Sequence, residues 1–248
     1  MLDSYQPAED LLEDRVILVT GAGDGIGRMA AKAFAYHGAT VVLLDKTVPK
    51  LEKVYDEIEA AGGPEPAIYP MHLEGASPHD YEELAHVIDM NFGQLDGILH
   101  NAALLPYLSR IKDHDADDWI KAMQVNLNAP FFMTQACLPL LSAAKDGRLL
   151  FTTDEVGQHG KAFWGAYAAA KAGVERLAEM LAAEFDNSPL RVNCIDPGPT
   201  CTALRKVAFP GEDNASLKQP EALQALYLWA MGPDSRDTHG QRLVYGER

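Results

Sequence analysis

The sequence predicts an α/β protein, one doubly wound parallel sheet of seven strands with helices on both faces. Three observations predict it. Short β-branched runs alternate with longer amphipathic stretches from end to end. Most of the short runs are apolar throughout, as strands covered on both faces must be. A glycine cluster falls where the first strand gives way to the first helix.

Residues 15–20 (R-V-I-L-V-T) read as the first strand. The glycine cluster 21–27 follows, then a helix over 28–37 closed by Gly38. A strand is expected over 40–44, a helix over 49–61 ended by Gly62-Gly63-Pro64, a strand over 67–72 and a helix over 78–92. The fourth strand covers 95–100, and 117–144 reads as one long helix whose acidic first turn suits the helix dipole. The rhythm continues with strand 148–152, helix 166–185 and strand 191–195. Pro220 opens a helix over 221–231, and 241–245 closes the sheet. The stretch 197–219 is the longest irregular segment, and such segments in compact domains are functional lids or disordered. The unbroken alternation implies a single domain over 1–248.

Composition removes several functions. The chain of 248 residues carries a formal net charge of −15 with no basic stretch to offset it, which excludes nucleic acid and anionic membrane surfaces as expected partners. No run approaches 18 apolar residues, and residues 1–14 hold five carboxylates instead of a targeting signal. Three cysteines without a Cys-x-x-Cys pair fit a reducing cytoplasm. His-Glu-x-x-His is absent, and His79 and His86 read as solvated residues, so no metal is expected.

The string T-G-A-G-D-G-I-G (20–27) has the logic of a phosphate cradle. Gly21 permits the tight turn, Gly25 lets the backbone approach a pyrophosphate, and Gly27 permits close helix–strand packing. The helix N-terminus adds free N–H groups and partial positive charge. Asp45, 18 residues beyond Gly27, suits the hydroxyls of an adenosine ribose and repels a 2′-phosphate. Asp24 adds a second negative charge, whereas Lys46 would accept that phosphate. NAD is the expected cofactor, with NADP possible.

Tyr167 and Lys171 stand one turn apart on one helix face. A phenol titrates near pH 10, too high for proton transfer at neutrality. An ammonium about 4 Å away, at an effective dielectric near 20, contributes about 4 kcal/mol, or roughly three pK units of lowering.

With these motifs the chain resembles the short-chain dehydrogenase/reductase family, a Rossmann-type fold, over nearly its whole length. The carrying residues are the glycine string, His100-Asn101-Ala102-Ala103, Asn126, Tyr167 with Lys171, and Pro197-Gly198. W-G-A-Y (164–167), R-V-N-C-I (191–195) and Y-L-W-x-M-G (227–232) resemble a bacterial subfamily of largely uncharacterised oxidoreductases. The resemblance implies that Tyr167 is the general acid/base, that Lys171 holds the nicotinamide ribose and lowers the tyrosine pKa, and that Asn126 supports a proton-relay water. It implies that Asn101 and Ala102 lie beside the cofactor, that Pro197, Gly198 and Thr202 fix the nicotinamide end, and that 199–219 covers the substrate. Ile26 and Leu73 join the cofactor-binding set. It further implies a homodimer or homotetramer built on helices 117–144 and 166–185.

One departure bears on chemistry. The family places a serine thirteen residues before the tyrosine to hydrogen-bond the substrate oxygen; here that residue is Asp154, in F-T-T-D-E-V-G (151–157). An ionised Asp154 has no proton to donate, and such donors are worth about 10²–10³ in rate. Its charge beside the phenol would also cancel most of the lysine's effect. Either burial keeps Asp154 protonated, so that it donates as serine would, or it binds a substrate ammonium. His72 replaces the family's acidic residue after the third strand and is placed to stack on adenine. Leu104, Leu105, Phe163, Trp164 and Phe209 are candidate apolar walls, and Glu155 and His159 candidate readers of a polar substrate. The expected function is hydride transfer between a nicotinamide cofactor and a small alcohol or ketone. The alternative is a dinucleotide-binding protein whose catalysis Asp154 has impaired.

Overall fold

Strands without polar alternation need cover on both faces, and the sheet supplies it. In the computed structural model, which describes residues 5–246, β1 (Val16–Thr20), β2 (Thr40–Asp45), β3 (Ala67–Pro70), β4 (Gly97–His100), β5 (Arg148–Thr152), β6 (Arg191–Asp196) and β7 (Arg242–Val244) pair in parallel in the order β3-β2-β1-β4-β5-β6-β7. β1, β4 and β5 are buried along their whole length. One face is covered by α1 (Gly25–Tyr36), α2 (Val48–Ala60) and α9 (Gln224–Met231), whose Phe34, Leu51 and Tyr227 pack on Ile17, Val41 and Leu150. The other is covered by α3 (Pro78–Phe92), α5 (Ala129–Ala143) and α7 (Gly165–Glu184), whose Tyr81, Met133 and Val174 pack on Leu18, Ile98 and Phe151. None of the described helices is long and apolar enough to cross a membrane.

The winding runs outward from β1 to β3, then restarts at β4 on the other side of β1. That reversal opens a crevice at the carboxyl ends of β1 and β4, where doubly wound sheets bind ligands.

Several stretches depart from the expected elements. Residues 117–144 are not one helix: α4 (Ala116–Met123) and α5 are joined by a π-helical turn over Gln124–Asn128. Within it the buried Asn126 clamps the Leu104 backbone, donating from Nδ2 to the carbonyl at 2.7 Å and accepting from the N–H at 2.9 Å. The stretch 197–219 holds α8 (Ala203–Ala208), capped where Thr202 Oγ1 accepts from Arg205 N–H at 3.2 Å. Asp154 likewise caps a four-residue helix, α6 (Glu155–Gln158). α1 begins at Gly25 rather than at 28, because Asp24 accepts from the Gly25 N–H at 2.7 Å and caps it. α9 starts at Gln224, after a tighter turn over Pro220–Leu223.

Candidate active site

The crevice is a cleft of about 680 Å³ running from Gly21, Asp24 and Asp45 to Asp154, Tyr167 and Lys171. A smaller cavity of about 310 Å³ between α1 and α2 holds none of these residues.

At the glycine end each position has a separate reason. Gly21 has φ +67°, and a Cβ there would lie 3.0 Å from Ala102 Cα. Gly25 has φ +52°, and its missing Cβ would meet only Thr202, at 3.4 Å, leaving the backbone open to the cleft. Gly27 lies beneath the loop, where a Cβ would stand 2.1 Å from the Gly21 carbonyl oxygen. Thr20 Oγ1 accepts from the N–H groups of Asn101 and Ala102, both at 3.0 Å, and so ties the loop after β4 to the cradle. Bare backbone at a helix start fits a pyrophosphate.

At the end of β2, Asp45 packs against Gly23 and accepts from Thr47 N–H at 2.9 Å. Two lysines stand near it, each paired: Lys50 with Asp24 at 2.6 Å and Lys46 with Glu74 at 3.0 Å. Lys46 and Leu73 line a side recess of about 110 Å³ with Asp45 and Ala102. His72 is exposed, 3.9 Å from Glu74. Ile26, Asn101, Ala102, Pro197, Gly198 and Thr202 all border the main cleft. Gly198 takes φ +61°, and Asp196 accepts its N–H at 2.8 Å.

Tyr167 and Lys171 emerge from the first turns of α7 onto the same cleft. Lys171 Nζ lies 5.6 Å from the Tyr167 ring centre and donates to the Thr152 carbonyl at 2.7 Å. Asp154 Oδ1 accepts from Val156 N–H at 3.1 Å, and Asp154 lines the cleft together with Tyr167. Burial pushes the Tyr167 phenol well above its ordinary value, and the charges of Asp154 and Asp196 push the same way. The site does not show the lowering expected from Lys171: burial and two carboxylates raise the phenol, and burial pulls the Lys171 ammonium itself down to about 8. Burial also raises Asp154, helped by Asp196, against the opposing Val156 N–H and Lys171.

Both ends of the Asn126 amide are taken by Leu104, so its side chain positions the loop after β4. Of the apolar candidates, Trp164, Phe209 and Leu105 pack beside Tyr167, Leu104 faces the side recess, and Phe163 is half exposed.

A family model described as short chain dehydrogenase matches residues 15–213. The chain belongs to the short chain dehydrogenase family. The oxidoreductase YciK of Escherichia coli, itself described as uncharacterised, is 48% identical over 236 residues, 95% of this chain and 93% of the relative. A short chain dehydrogenase from Shigella flexneri, solved in complex with NADP, superposes with a TM-score of 0.93 at 46% identity, covering 96% of this chain and 99% of that one. A second, from Escherichia coli and complexed with NADPH, gives 0.94 at 46% identity over 97% of this chain and 100% of that one. This chain is accordingly an oxidoreductase, a short-chain dehydrogenase/reductase.

Sequence reasoning missed several residues of this short-chain dehydrogenase. Thr152 Oγ1 lies 3.2 Å from the Tyr227 hydroxyl and 3.4 Å from Asn101 Oδ1. Beneath the cleft, Arg242 of β7 donates to Asp196 and, at 3.2 Å, to Glu175, which also accepts from Thr153 Oγ1 at 2.5 Å. Thr20 had a visible signal as the head of the glycine string; Arg242, Asp196 and Glu175 are brought together only by the fold.

Proposed function

We propose that this dehydrogenase transfers a hydride between a nicotinamide dinucleotide and a small alcohol or ketone, with Tyr167 moving the proton. The carrying observation is that one continuous cleft joins the glycine cradle to Tyr167 and Lys171. When bound, the dinucleotide supplies the hydride in reduction and accepts it in oxidation. Gly21, Gly25 and the start of α1 hold its phosphates, Asp45 and Leu73 meet the adenosine half, and Pro197, Gly198 and Thr202 border the nicotinamide half. In reduction Tyr167 Oη gives its proton to the carbonyl oxygen while the carbonyl carbon gains the hydride; oxidation returns both. Lys171 supplies positive charge beneath the phenol, Asn126 holds the Leu104 backbone, and Asp154 borders the substrate end of the cleft. The impaired-catalysis alternative gains no support from relatives named as oxidoreductases.

Two readings of the dinucleotide have an observation each. Asp24 and Asp45 favour NAD, because a 2′-phosphate would meet two carboxylates. The relatives solved with NADP and NADPH favour NADP, and Lys46 and Lys50 would supply the countercharge by leaving Glu74 and Asp24. The three free cysteines support a reducing cytoplasm. Half-exposed or exposed Ile120, Phe131 and Met180 on α4, α5 and α7 support a homodimer or homotetramer. The irregular segment 197–219 is proposed as the substrate cover of a single 1–248 domain.

Titration with NAD(H) and NADP(H), followed by turnover of an alcohol and ketone panel, tests the reading. Tyr167→Phe should lower turnover about 10²–10⁴-fold with dinucleotide affinity unchanged. Full activity in that variant would remove Tyr167 from the chemistry.

A further inference from the structure

The cations around the catalytic end of the cleft are already engaged. Arg205 is held bidentately by Glu212, both contacts at 2.7 Å. Arg242 bridges Asp196 and Glu175. Lys171 and Lys218 donate to the carbonyls of Thr152 and Pro199, each at 2.7 Å. Asp154, by contrast, forms no salt bridge among the described residues. It borders the cleft with Tyr167, and one of its oxygens is fixed by the N–H of Val156, which packs in one cluster with Tyr167. Of the carboxylates Asp154, Asp196 and Glu175, the last two pair with Arg242, and Asp154 alone has no ion-pair partner among the described residues. A part-buried carboxylate without a counter-ion is a place for a cation from outside the chain.

We propose that Asp154 is a substrate-binding carboxylate that receives a protonated amine adjacent to the reacting carbon, so that the substrates are vicinal amino ketones and amino alcohols. The proposal rests on the redox reading of this cleft given above. Because Asp154 and Tyr167 share this end of the cleft, a substrate whose oxygen meets Tyr167 Oη presents to Asp154 what its neighbouring carbon carries. A neutral group there would leave the part-buried carboxylate without a counter-ion; an ammonium pairs with it and donates to it. The remainder of the molecule meets apolar surface, since Val156, Trp164, Leu204 and Phe209 cluster against Tyr167. An apolar substituent on the far side of the carbonyl fits that wall.

A matched pair of ketones tests this: 2-amino-1-phenylethanone, cationic at neutral pH, and 1-phenyl-1-propanone, which replaces the ammonium by a methyl group. Wild type, Asp154→Asn and Asp154→Ser are compared by steady-state kinetics with the preferred reduced dinucleotide. Binding of 2-amino-1-phenylethanol to the same complex is followed by calorimetry. Asn retains an oxygen for the Val156 N–H, so that variant keeps the cap of α6. The expected result is at least a tenfold preference of wild type for the amino ketone in kcat/KM. Asp154→Asn should lose it mainly through a KM at least tenfold higher, with a matching loss of amino-alcohol binding, and Asp154→Ser should prefer the neutral ketone. Equal use of both ketones by wild type, or preference for the neutral one, overturns the proposal and leaves the redox reading standing. So does a wild type inert on both when Asp154→Ser reduces 1-phenyl-1-propanone. Failure to bind any nicotinamide dinucleotide overturns both.

Discussion

Replacing Gly27 by alanine tests whether the cradle is held by close packing or merely by a flexible turn. The added Cβ would fall 2.1 Å from the Gly21 carbonyl oxygen and 2.7 Å from Asn101 Nδ2. Side chains essentially never approach within 3.0 Å, so the start of α1 must withdraw from the end of β1 by about 0.9 Å. The asparagine can rotate away; the carbonyl cannot, because it belongs to the turn that forms the cradle. Overpacking of this kind costs about 1–3 kcal/mol, which for a chain of this size lowers Tm by about 2–12 °C. The same displacement moves the N–H groups away from the phosphates, and dinucleotide Kd should rise at least tenfold, about 1.4 kcal/mol. Calorimetric unfolding and a dinucleotide titration measure the two effects. The double variant Gly27→Ala/Asn101→Ala should recover neither, since it leaves the backbone clash in place. A single variant with wild-type Tm and wild-type Kd, or a double variant restored to both, would refute the packing argument.

Two further outcomes follow from the catalytic end. Lys171, lowered by burial to about 8, is cationic below that pH and neutral above it, so kcat/KM for reduction should fall as pH rises through about 8. Lys171→Arg should shift that limb upward, because guanidinium does not deprotonate in this range. Asn126→Ala orphans the Leu104 N–H and carbonyl at about 1–3 kcal/mol for each group left unsatisfied, and denaturant unfolding should show the midpoint falling with the slope unchanged.

What the sequence made legible shares one property: it is local. The glycine string can be read because each glycine answers to backbone within a few residues or to the neighbouring strand, and Tyr167 with Lys171 because one helical turn fixes their relation. The sheet order follows from the handedness and shortness of connections between apolar strands. The π-helical turn was invisible because residues 124–128 (Q-V-N-L-N) hold no glycine or proline to break a helical reading. α6 and α8 were invisible because helices of four and six residues have no period; they exist through the caps at Asp154 and Thr202. Arg242 lies 46 residues from Asp196 and 67 from Glu175, so no spacing announces their network. The direction of the Tyr167 shift was missed for another reason. Residue spacing places the lysine charge but carries no measure of burial, and burial is the larger influence on the phenol.

The π-helical turn also restricts how this enzyme can be redesigned. Deleting one residue within Gln124–Asn128 would make α4 and α5 a regular helix and improve its local hydrogen bonding. The flanking helices would keep their faces, because the underwound turn is where the extra residue is absorbed. Asn126, inside the turn, would change direction and lose its two bonds to Leu104. Helix regularity and loop placement cannot both be optimised at this point in the chain. A stabilisation campaign should therefore treat these five residues as a fixed hinge pin and seek its gains elsewhere.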